Sequence, residues 1–187
     1  EMCIRDRIWI VPYLLKNELL LFFYSHSFWQ LFRKCLIIFS SFKFLWYNYF
    51  TICCIYCDFF STTRKEQKTA YIRALCHELT NRKDYLKGEP IETIYLGGGT
   101  PSQLAKEDFE AIFSHIYKVY KVTPNAEITL EANPDDLTSE YISMLRTFPF
   151  NRISMGIQTF QETTLKQLQR RHTADQAIRA FQGCRTA

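Results

Sequence analysis

Three cysteines near position 55 are the residues of this sequence best suited to chemistry. Cys54 and Cys57 form a C-x-x-C pair, and Cys53 directly precedes it. Such a pair can bind zinc, act as a redox couple or hold an iron–sulfur cluster. Two buried thiols that pack as small hydrophobic side chains would give the same pattern. The chain has seven cysteines in all, and an odd number argues for a thiolate metal site in a reducing compartment rather than a disulfide framework.

A run of glycines follows a short apolar segment further along the chain. Residues 91–96 predict a strand, and Gly97-Gly98-Gly99-Thr100-Pro101 come directly after it. Glycine accepts a positive φ and lets a ligand approach the backbone closely. A strand-to-helix turn is the alternative, but three glycines exceed what a turn needs. Because active sites of parallel β/α folds lie at this end of the strands, we expect a ligand-binding loop here.

Two further predicted strands also end in polar residues. Glu131-Ala132-Asn133-Pro134 closes one, and Gly156-Ile157-Gln158 closes the next. Either motif alone is equally typical of a solvated loop. Three such strand ends in succession are a sharper signal, because parallel strands bring their carboxyl ends to one edge of the sheet. We expect the three motifs to converge there.

Helical and extended patterns alternate from residue 63 to the end of the chain. Apolar residues recur three or four positions apart in the helical segments. Helices are predicted at 65–86, 106–120, 138–147, 162–169 and from 173 onward. A capping box from Thr173 to Gln176 opens the last of them. The strands are predicted at 91–96, 126–131 and 152–157. This alternation predicts an α/β fold with parallel strands, either a doubly wound sheet or a barrel. A whole barrel takes about 250 residues, so we expect a truncated, partial one.

The first fifty residues differ in composition from the rest. Residues 1–60 hold 18 of the 30 aromatic residues and no Gly or Ala, as translated AT-rich non-coding DNA would. The longest uncharged runs have 14 residues, whereas a membrane span needs about 20, and a signal peptide would need small residues at its cleavage site. We therefore expect residues 1–50 to be an artefactual or non-homologous segment that stays outside the barrel, without stable membrane insertion. Residues 51–187 would form the N-terminal part of the domain.

The charge of the chain says little about its partners. The formal net charge is +4 and the pI is about 8.7. Nucleic-acid-binding domains usually show a concentrated basic patch or a pI above about 9. We expect no nucleic-acid partner.

Taken together, the motifs of residues 54–172 resemble one radical S-adenosylmethionine (SAM) family, that of the oxygen-independent coproporphyrinogen III oxidases and HemW-type haem chaperones. The matching blocks are CIYCDFFSTT, IETIYLGGGTPSQL, EITLEANPDDLT, NRISMGIQTF and RRH. The resemblance implies a β/α barrel of the radical-SAM type. It also implies a [4Fe–4S] cluster held by a C-x3-C-x2-C loop, SAM bound at the iron that three thiolates leave open, and a role in haem metabolism in the cytoplasm.

The resemblance also assigns residues to these cofactors. Cys54 and Cys57 match the second and third cluster ligands. Tyr56 matches the aromatic residue that lies beside the cluster and the adenine of SAM. Gly98, Gly99 and Thr100 match the loop along the amino-acid moiety of SAM, and three further positions that contact SAM match Glu131, Gln158 and Arg170. Of the last three, Glu131 is suited to accept hydrogen bonds from ribose hydroxyls, and Arg170 can offer a forked donor to a carboxylate.

The chain departs from the family at the first cluster ligand. That cysteine should stand four residues before Cys54, where this sequence has Phe50. The family's first strand is also not recognisable in the sequence. Cys53 does not reproduce the spacing. We therefore expect this chain to hold no stable cluster, and we expect the fragment to be inactive.

The resemblance leaves two functions open. One is haem binding and transfer by a chaperone, with haem-accepting proteins and an electron donor as further partners. The other is oxidative decarboxylation of coproporphyrinogen III, a porphyrin precursor. In the oxidases Gly and Cys follow the last loop cysteine, whereas this chain has Asp58 and Phe59 after Cys57, which favours the chaperone. A simple zinc or redox C-x-x-C protein is a third hypothesis, which the strand-end motifs disfavour.

Overall fold

The structure is a computed structural model that describes residues 67–97 and 100–187, together with the backbone of three short strands before them. These short strands are β1 (Cys35–Ile38), β2 (Asn48–Tyr49) and β3 (Ser61–Thr62). The elements that follow alternate between helix and strand, and they are α1 (Lys68–Asn81), β4 (Ile91–Leu96), α2 (Lys106–Val119), β5 (Val122–Ala132), α3 (Ser139–Leu145), β6 (Arg152–Met155), α4 (Glu162–Gln167) and α5 (Ala174–Thr186).

Four of the strands form one parallel sheet in the order β1-β4-β5-β6. Helix α2 connects β4 to β5, and α3 connects β5 to β6, as the crossover connections of parallel strands require. Strands β2 and β3 pair with each other in a separate parallel ladder. The predicted α/β class with parallel strands is therefore confirmed.

One face of the sheet is apolar and covered by helices. Side chains alternate between the two faces of a strand, and in β5 every second residue from Ala126 to Ala132 is buried. The apolar stripe of α2 packs in the same core, since Phe109, Ile112 and Ile116 are each no more than 1% exposed. Burial of this stripe against the sheet explains why α2 forms where its apolar periodicity predicts it.

An aromatic cluster closes the core on the α2 side. Phe109 and Phe113 of α2 meet Phe148 and Phe150, which lie between α3 and β6. The ring centroids of these contacts are 5.2–6.0 Å apart, with edge and tilted as well as stacked geometries. Such pairs stabilise by about 0.5–1.5 kcal/mol beyond the area they bury. The cluster joins the helix before β5 to the loop before β6.

The structure corrects two expectations about strands. Strand β5 begins at Val122 rather than at the predicted Ala126 and includes Pro124. The pairing of β4 with β5 shifts register between Ile91 and Thr93, and a proline, which has no N–H to donate, is tolerated at such an irregularity. Helix α1 is shorter than predicted, because turns follow Arg82 and both Lys87 and Gly88 adopt a positive φ.

The second correction concerns the first fifty residues, which were expected to stay outside the barrel. Cys35–Ile38 instead pairs in parallel with β4 as an edge strand of the main sheet. The backbone of this segment pairs with β4, and short runs of Leu and Ile are typical of strands in parallel sheets. A strand thus precedes the cysteine loop in the sheet, where none had been recognised. The assignment of residues 1–50 as non-homologous stays a prediction.

Candidate functional site

The three polar motifs leave the sheet at the same edge. Gly97 follows β4, Asn133 follows β5 and Gly156 follows β6. The backbone N–H of Gly156 donates to the carbonyl of Ala132 at 2.9 Å, which extends the β5–β6 ladder to its last residues. The expected convergence of these strand ends is therefore present in the structure.

Glu131 is fixed where β4 and β5 end. The hydroxyl of Tyr95 donates to Glu131 Oε1 at 2.5 Å. A Cβ atom at Gly97 would lie 2.8 Å from Glu131 Oε2 and 2.5 Å from Cε1 of Tyr95, which is closer than real Cβ atoms approach. Glycine at position 97 is therefore needed for the carboxylate to lie against the end of β4.

Arg170 is held at the ends of β5 and β6. Its Nη2 atom donates to Asn133 Oδ1 at 2.8 Å and to the carbonyl of Gly156 at 2.7 Å. The side chain of Gln158 also lies beside Gly156. A Cβ atom on Gly156 would be 3.4 Å from Gln158 Nε2 and 3.6 Å from Arg170 Nη2. The backbone of Gln158 has φ +68°, a left-handed conformation that is uncommon for residues other than glycine and often marks functional sites.

A second network ties the loops behind these side chains. The hydroxyl of the buried Ser102 donates to Asp136 Oδ2 at 2.6 Å and accepts from the backbone N–H of Asn133 at 3.2 Å. Gln103 also donates to Asp136. Arg171 pairs with both Asp135 and Asp136. We call this set of five residues and Asn133 the loop clasp, because it joins the segments after β4, β5 and α4.

His172 packs beneath the clasp and is 2% exposed. Its Nε2 atom lies 3.1 Å from the carbonyl of Ile157, and its Nδ1 atom lies 3.9 Å from Asp135 Oδ1. Burial lowers the pKa of His172; the positive charge of Arg170 acts in the same direction, and the backbone contact and Asp135 oppose it. The neutral ring with Nε2–H donating to Ile157 fits this environment. His172 is thus a buried structural residue beside Arg170.

Several predicted site residues lie outside the part that the structure describes. These are the cluster ligands and the residues expected nearest to them, Cys54, Tyr56, Cys57, Gly98 and Gly99. Thr100 is described and is 8% exposed. Among the described residues, no three His, Cys, Asp or Glu side chains gather as a metal site. No helix within the same residues is long and apolar enough to span a bilayer.

Two contributors to the site were not recognised in the sequence. Tyr95 lies inside a strand and was counted only as part of an apolar run, and Asn133 was quoted in a motif without a role. Alternation along β4 could have pointed to Tyr95, because it shares a face with Gly97. The signal for Asn133 was its position two residues after Glu131, which puts both on one face of extended backbone.

The described edge carries one carboxylate and one guanidinium in fixed positions. A carboxylate accepts hydrogen bonds from vicinal hydroxyls, and a guanidinium offers several donors to a carboxylate. A glycine backbone beside them leaves room for a ligand. The edge therefore has the donor and acceptor types that a nucleoside carrying an amino-acid group requires.

The chain is similar to several known proteins. Residues 50–187 match the family described as the Radical SAM superfamily. Heme chaperone HemW of Lactococcus lactis subsp. lactis (strain IL1403) is 40% identical over 121 residues, 64% of this chain and 31% of that protein. HemW of Escherichia coli (strain K12) is 36% identical over 129 residues, 68% of this chain and 34% of that protein.

A more distant relative and a solved structure agree with these matches. The oxygen-independent coproporphyrinogen-III oxidase-like protein HemZ of Bacillus subtilis (strain 168) is 30% identical over 135 residues, 68% of this chain and 27% of that protein. The chain spans about a third of the length of these relatives. The structure of the E. coli coproporphyrinogen III oxidase HemN, a radical SAM enzyme, superposes with a TM-score of 0.69 at 22% identity, covering 88% of this chain and 38% of that one. This likeness confirms a partial barrel of the radical-SAM type.

Proposed function

The chain belongs to the Radical SAM superfamily, and from this premise we propose that it is part of a [4Fe–4S] protein of haem metabolism, a HemW-type haem chaperone that works in the cytoplasm. Proteins named as HemW chaperones are its relatives at 34–40% identity. The observation that carries the proposal is the gathering of Glu131, Arg170 and Gln158 at one edge of the sheet. This edge is where parallel β/α folds bind their ligands.

The residues at this edge fit SAM. In this proposal Glu131 accepts hydrogen bonds from the ribose hydroxyls, and Arg170 interacts with the carboxylate of the amino-acid group. Gly97 supports the fit, because any larger residue there would displace the Glu131 carboxylate. Gly98, Gly99 and Thr100 would line the amino-acid group, and Gln158 would contact SAM beside Gly156.

The residues available for the cluster fit less well. Family members use three cysteine thiolates as cluster ligands, and this chain supplies the second and third, Cys54 and Cys57, but has Phe50 at the position of the first. The side chain of phenylalanine has no donor atom. The matched region begins at residue 50, so the departure falls on its first residue. We therefore derive no reaction step through a cluster in this chain.

The choice between chaperone and oxidase rests on the residues after the last loop cysteine. Asp58 and Phe59 follow Cys57, where the oxidases have Gly and Cys. The proposed partners are haem, haem-accepting proteins and an electron donor. Oxidative decarboxylation of coproporphyrinogen III is the second candidate, because HemZ, a relative named as oxidase-like, is 30% identical.

Cluster assembly tests the proposal. We expect anaerobic reconstitution with iron and sulfide to give a labile, substoichiometric cluster in the unmodified chain. Phe50→Cys restores the C-x3-C-x2-C spacing and should raise the bound iron and sulfide several-fold, toward four of each per chain. Iron and sulfide counting and the visible charge-transfer absorption provide the measurements.

A matched control separates specific ligation from added thiol. Thr51→Cys adds a cysteine one residue out of register and should leave the cluster as labile as in the unmodified chain. Cys57→Ser in the Phe50→Cys background should abolish the gain. A full, stable cluster in the unmodified chain would show that another residue supplies the third ligand.

The reconstituted Phe50→Cys protein also distinguishes the two functions. A chaperone should bind haem, seen as a Soret shift that saturates at one haem per chain, and should leave coproporphyrinogen III unchanged. An oxidase should decarboxylate coproporphyrinogen III when SAM and a reductant are supplied. Decarboxylation, or failure to bind haem, would contradict the chaperone proposal.

A further inference from the structure

Glu131 is restrained from two directions in this structure. Tyr95 donates to Oε1 at 2.5 Å, while Oε2 faces the backbone of Gly97. In the β4–β5 register Tyr95 stands opposite Thr129, so its ring reaches diagonally to the residue two positions further along β5. Aromatic side chains are long enough for this diagonal contact. A glutamate side chain without such restraints would retain several rotamers.

Strand β6 lies beside this pair, and Ser154 stands opposite Glu131 in the β5–β6 register. Burial raises the pKa of Tyr95, and so do the hydrogen bond and the charge of Glu131; Ser154 and Arg152 act in the opposite direction. The phenol therefore stays protonated at neutral pH and remains a donor to the carboxylate.

We propose that Tyr95 is a positioning residue that sets the orientation in which Glu131 accepts hydrogen bonds from ribose hydroxyls. This inference rests on the proposed function, in which Glu131 contacts the ribose of SAM. Tyr95 itself acts through Glu131. The Tyr95 hydroxyl donates to one carboxylate oxygen of Glu131, and the second oxygen, held beside Gly97, then faces the ribose. Side chains locked in this way bind with less loss of conformational freedom.

A pair of uncharged nucleosides tests this role without a cluster or turnover. 5′-Deoxyadenosine and 2′,5′-dideoxyadenosine differ by one ribose hydroxyl and carry no amino-acid group, so neither engages Arg170 as SAM would. We expect the unmodified chain to bind 5′-deoxyadenosine more tightly, by about tenfold, the usual effect of one hydrogen bond to a charged group. Tyr95→Phe should reduce this preference by about fivefold while leaving affinity for the dideoxy compound within twofold. Ligand-observed NMR titration gives both dissociation constants.

Two further variants make the result interpretable. Glu131→Gln should reduce the preference at least as much as Tyr95→Phe, and the two changes together should lower it no further. Tyr120→Phe is the matched control, because the Tyr120 hydroxyl is also buried in a hydrogen bond, to the carbonyl of Leu79 at 2.8 Å, away from the strand ends. It should leave the preference unchanged.

The outcomes separate this inference from the function on which it rests. If the unmodified chain shows no preference, or Glu131→Gln retains it, the proposed SAM site is wrong and the inference falls with it. If Glu131→Gln removes the preference and Tyr95→Phe does not, the inference alone is wrong. If Tyr95→Phe weakens both nucleosides equally, Tyr95 has only a structural role.

The contact itself can be measured without any ligand. In a chain with 13C-labelled tyrosines, the resonance that Tyr95→Phe removes identifies Tyr95. We expect this tyrosine to titrate above its ordinary pKa and the Glu131→Gln variant to shift it downward, because the negative charge beside the phenol is lost. An unchanged Tyr95 titration in the variant would show that the hydrogen bond is absent in solution and would overturn the proposed restraint.

Discussion

The two faces of strands β4, β5 and β6 are built from alternate residues of the same segments, yet they differ in what holds them. The helix-covered face carries Ile94, Leu130 and Ala132, each no more than 6% exposed. The opposite face carries polar residues, namely Thr93, Tyr95, Glu127, Thr129, Glu131, Arg152 and Ser154. Two contacts join neighbouring strands on this face, from Tyr95 to Glu131 and from Arg152 to Glu127. A parallel sheet is usually apolar on both faces.

We propose from this difference that one face mainly stabilises the fold and that the other positions the candidate site. Apolar burial is non-directional and stabilises by about 25 cal/mol per Å², so the helix face tolerates variation in geometry but not in volume. The polar face depends on directed contacts such as Tyr95 to Glu131, which contribute less to folding but fix the positions of functional groups. A substitution on the helix-covered face should therefore lower mainly the free energy of unfolding, whereas a substitution on the polar face should change mainly ligand binding.

The largest effect should come from the helix-covered face. Leu130 is fully buried between the sheet and the helices, and Leu130→Ala would leave a cavity there. We expect the free energy of unfolding to fall by about 2–5 kcal/mol, measured by urea denaturation.

A polar-face variant from the same strand provides the comparison. Glu127 is exposed, and its ion pair with Arg152 joins two side chains that are each about half exposed. Glu127→Ala should change the free energy of unfolding by less than about 1 kcal/mol. Equal losses in the two variants would mean that both faces contribute to stability alike, and the contrast between them would be wrong.

The sequence predicted this contrast only in part. Strand β4 was predicted with its observed bounds, and α2 was predicted to within one residue of its observed end, because hydrophobic periodicity reports directly on burial. Strand β1 and the first residues of β5 were missed, since pairing in a sheet depends on a distant partner that periodicity does not reveal. Val122, for instance, is in the strand because it pairs with Ile91.

The candidate site was predicted by motif rather than by contact. Glu131 and Arg170 were identified by resemblance, but their partners Tyr95 and Asn133 were not, because a hydrogen bond between residues 36 or 37 positions apart leaves no periodic signal. The capping box from Thr173 to Gln176 was predicted and is confirmed. It is local, and local hydrogen bonds can be recognised from spacing.

An intermediate effect is expected from the loop clasp, which stabilises the strand ends by charge rather than by apolar packing. Arg171 pairs with Asp135 and Asp136, whose side chains are only 15% and 8% exposed. Arg171→Ala leaves these carboxylates without that cation, and we expect the free energy of unfolding to fall by about 1–3 kcal/mol. Urea denaturation at low and at high salt measures it.

The salt dependence distinguishes the clasp from the core. Screening weakens partly exposed ion pairs, so the cost of Arg171→Ala should shrink in 1 M NaCl, whereas the cost of Leu130→Ala should not. Arg146→Ala, at an exposed arginine just after α3, is the matched control and should be neutral. A salt-independent loss at Arg171 would indicate that its aliphatic stem, rather than its charge, stabilises the loops.

A pH dependence of stability should be carried by His172, which is buried like a core residue and lies beside the charged clasp. Burial lowers its pKa from 6.5 in the folded chain, so the unfolded chain binds the proton more readily. The stabilisation is therefore fully present above pH 6.5 and is lost as the pH falls through the lower folded pKa. One proton limits the slope to about 1.4 kcal/mol per pH unit.

His172→Gln keeps a donor for the carbonyl of Ile157 but cannot be protonated, so its free energy of unfolding should vary less between pH 8 and pH 5 than that of the unmodified chain. His77→Gln, at an exposed histidine of α1, is the control and should retain the slope. If His172→Gln retains the slope as well, another group carries the pH dependence, and the ring of His172 is not held neutral by its burial.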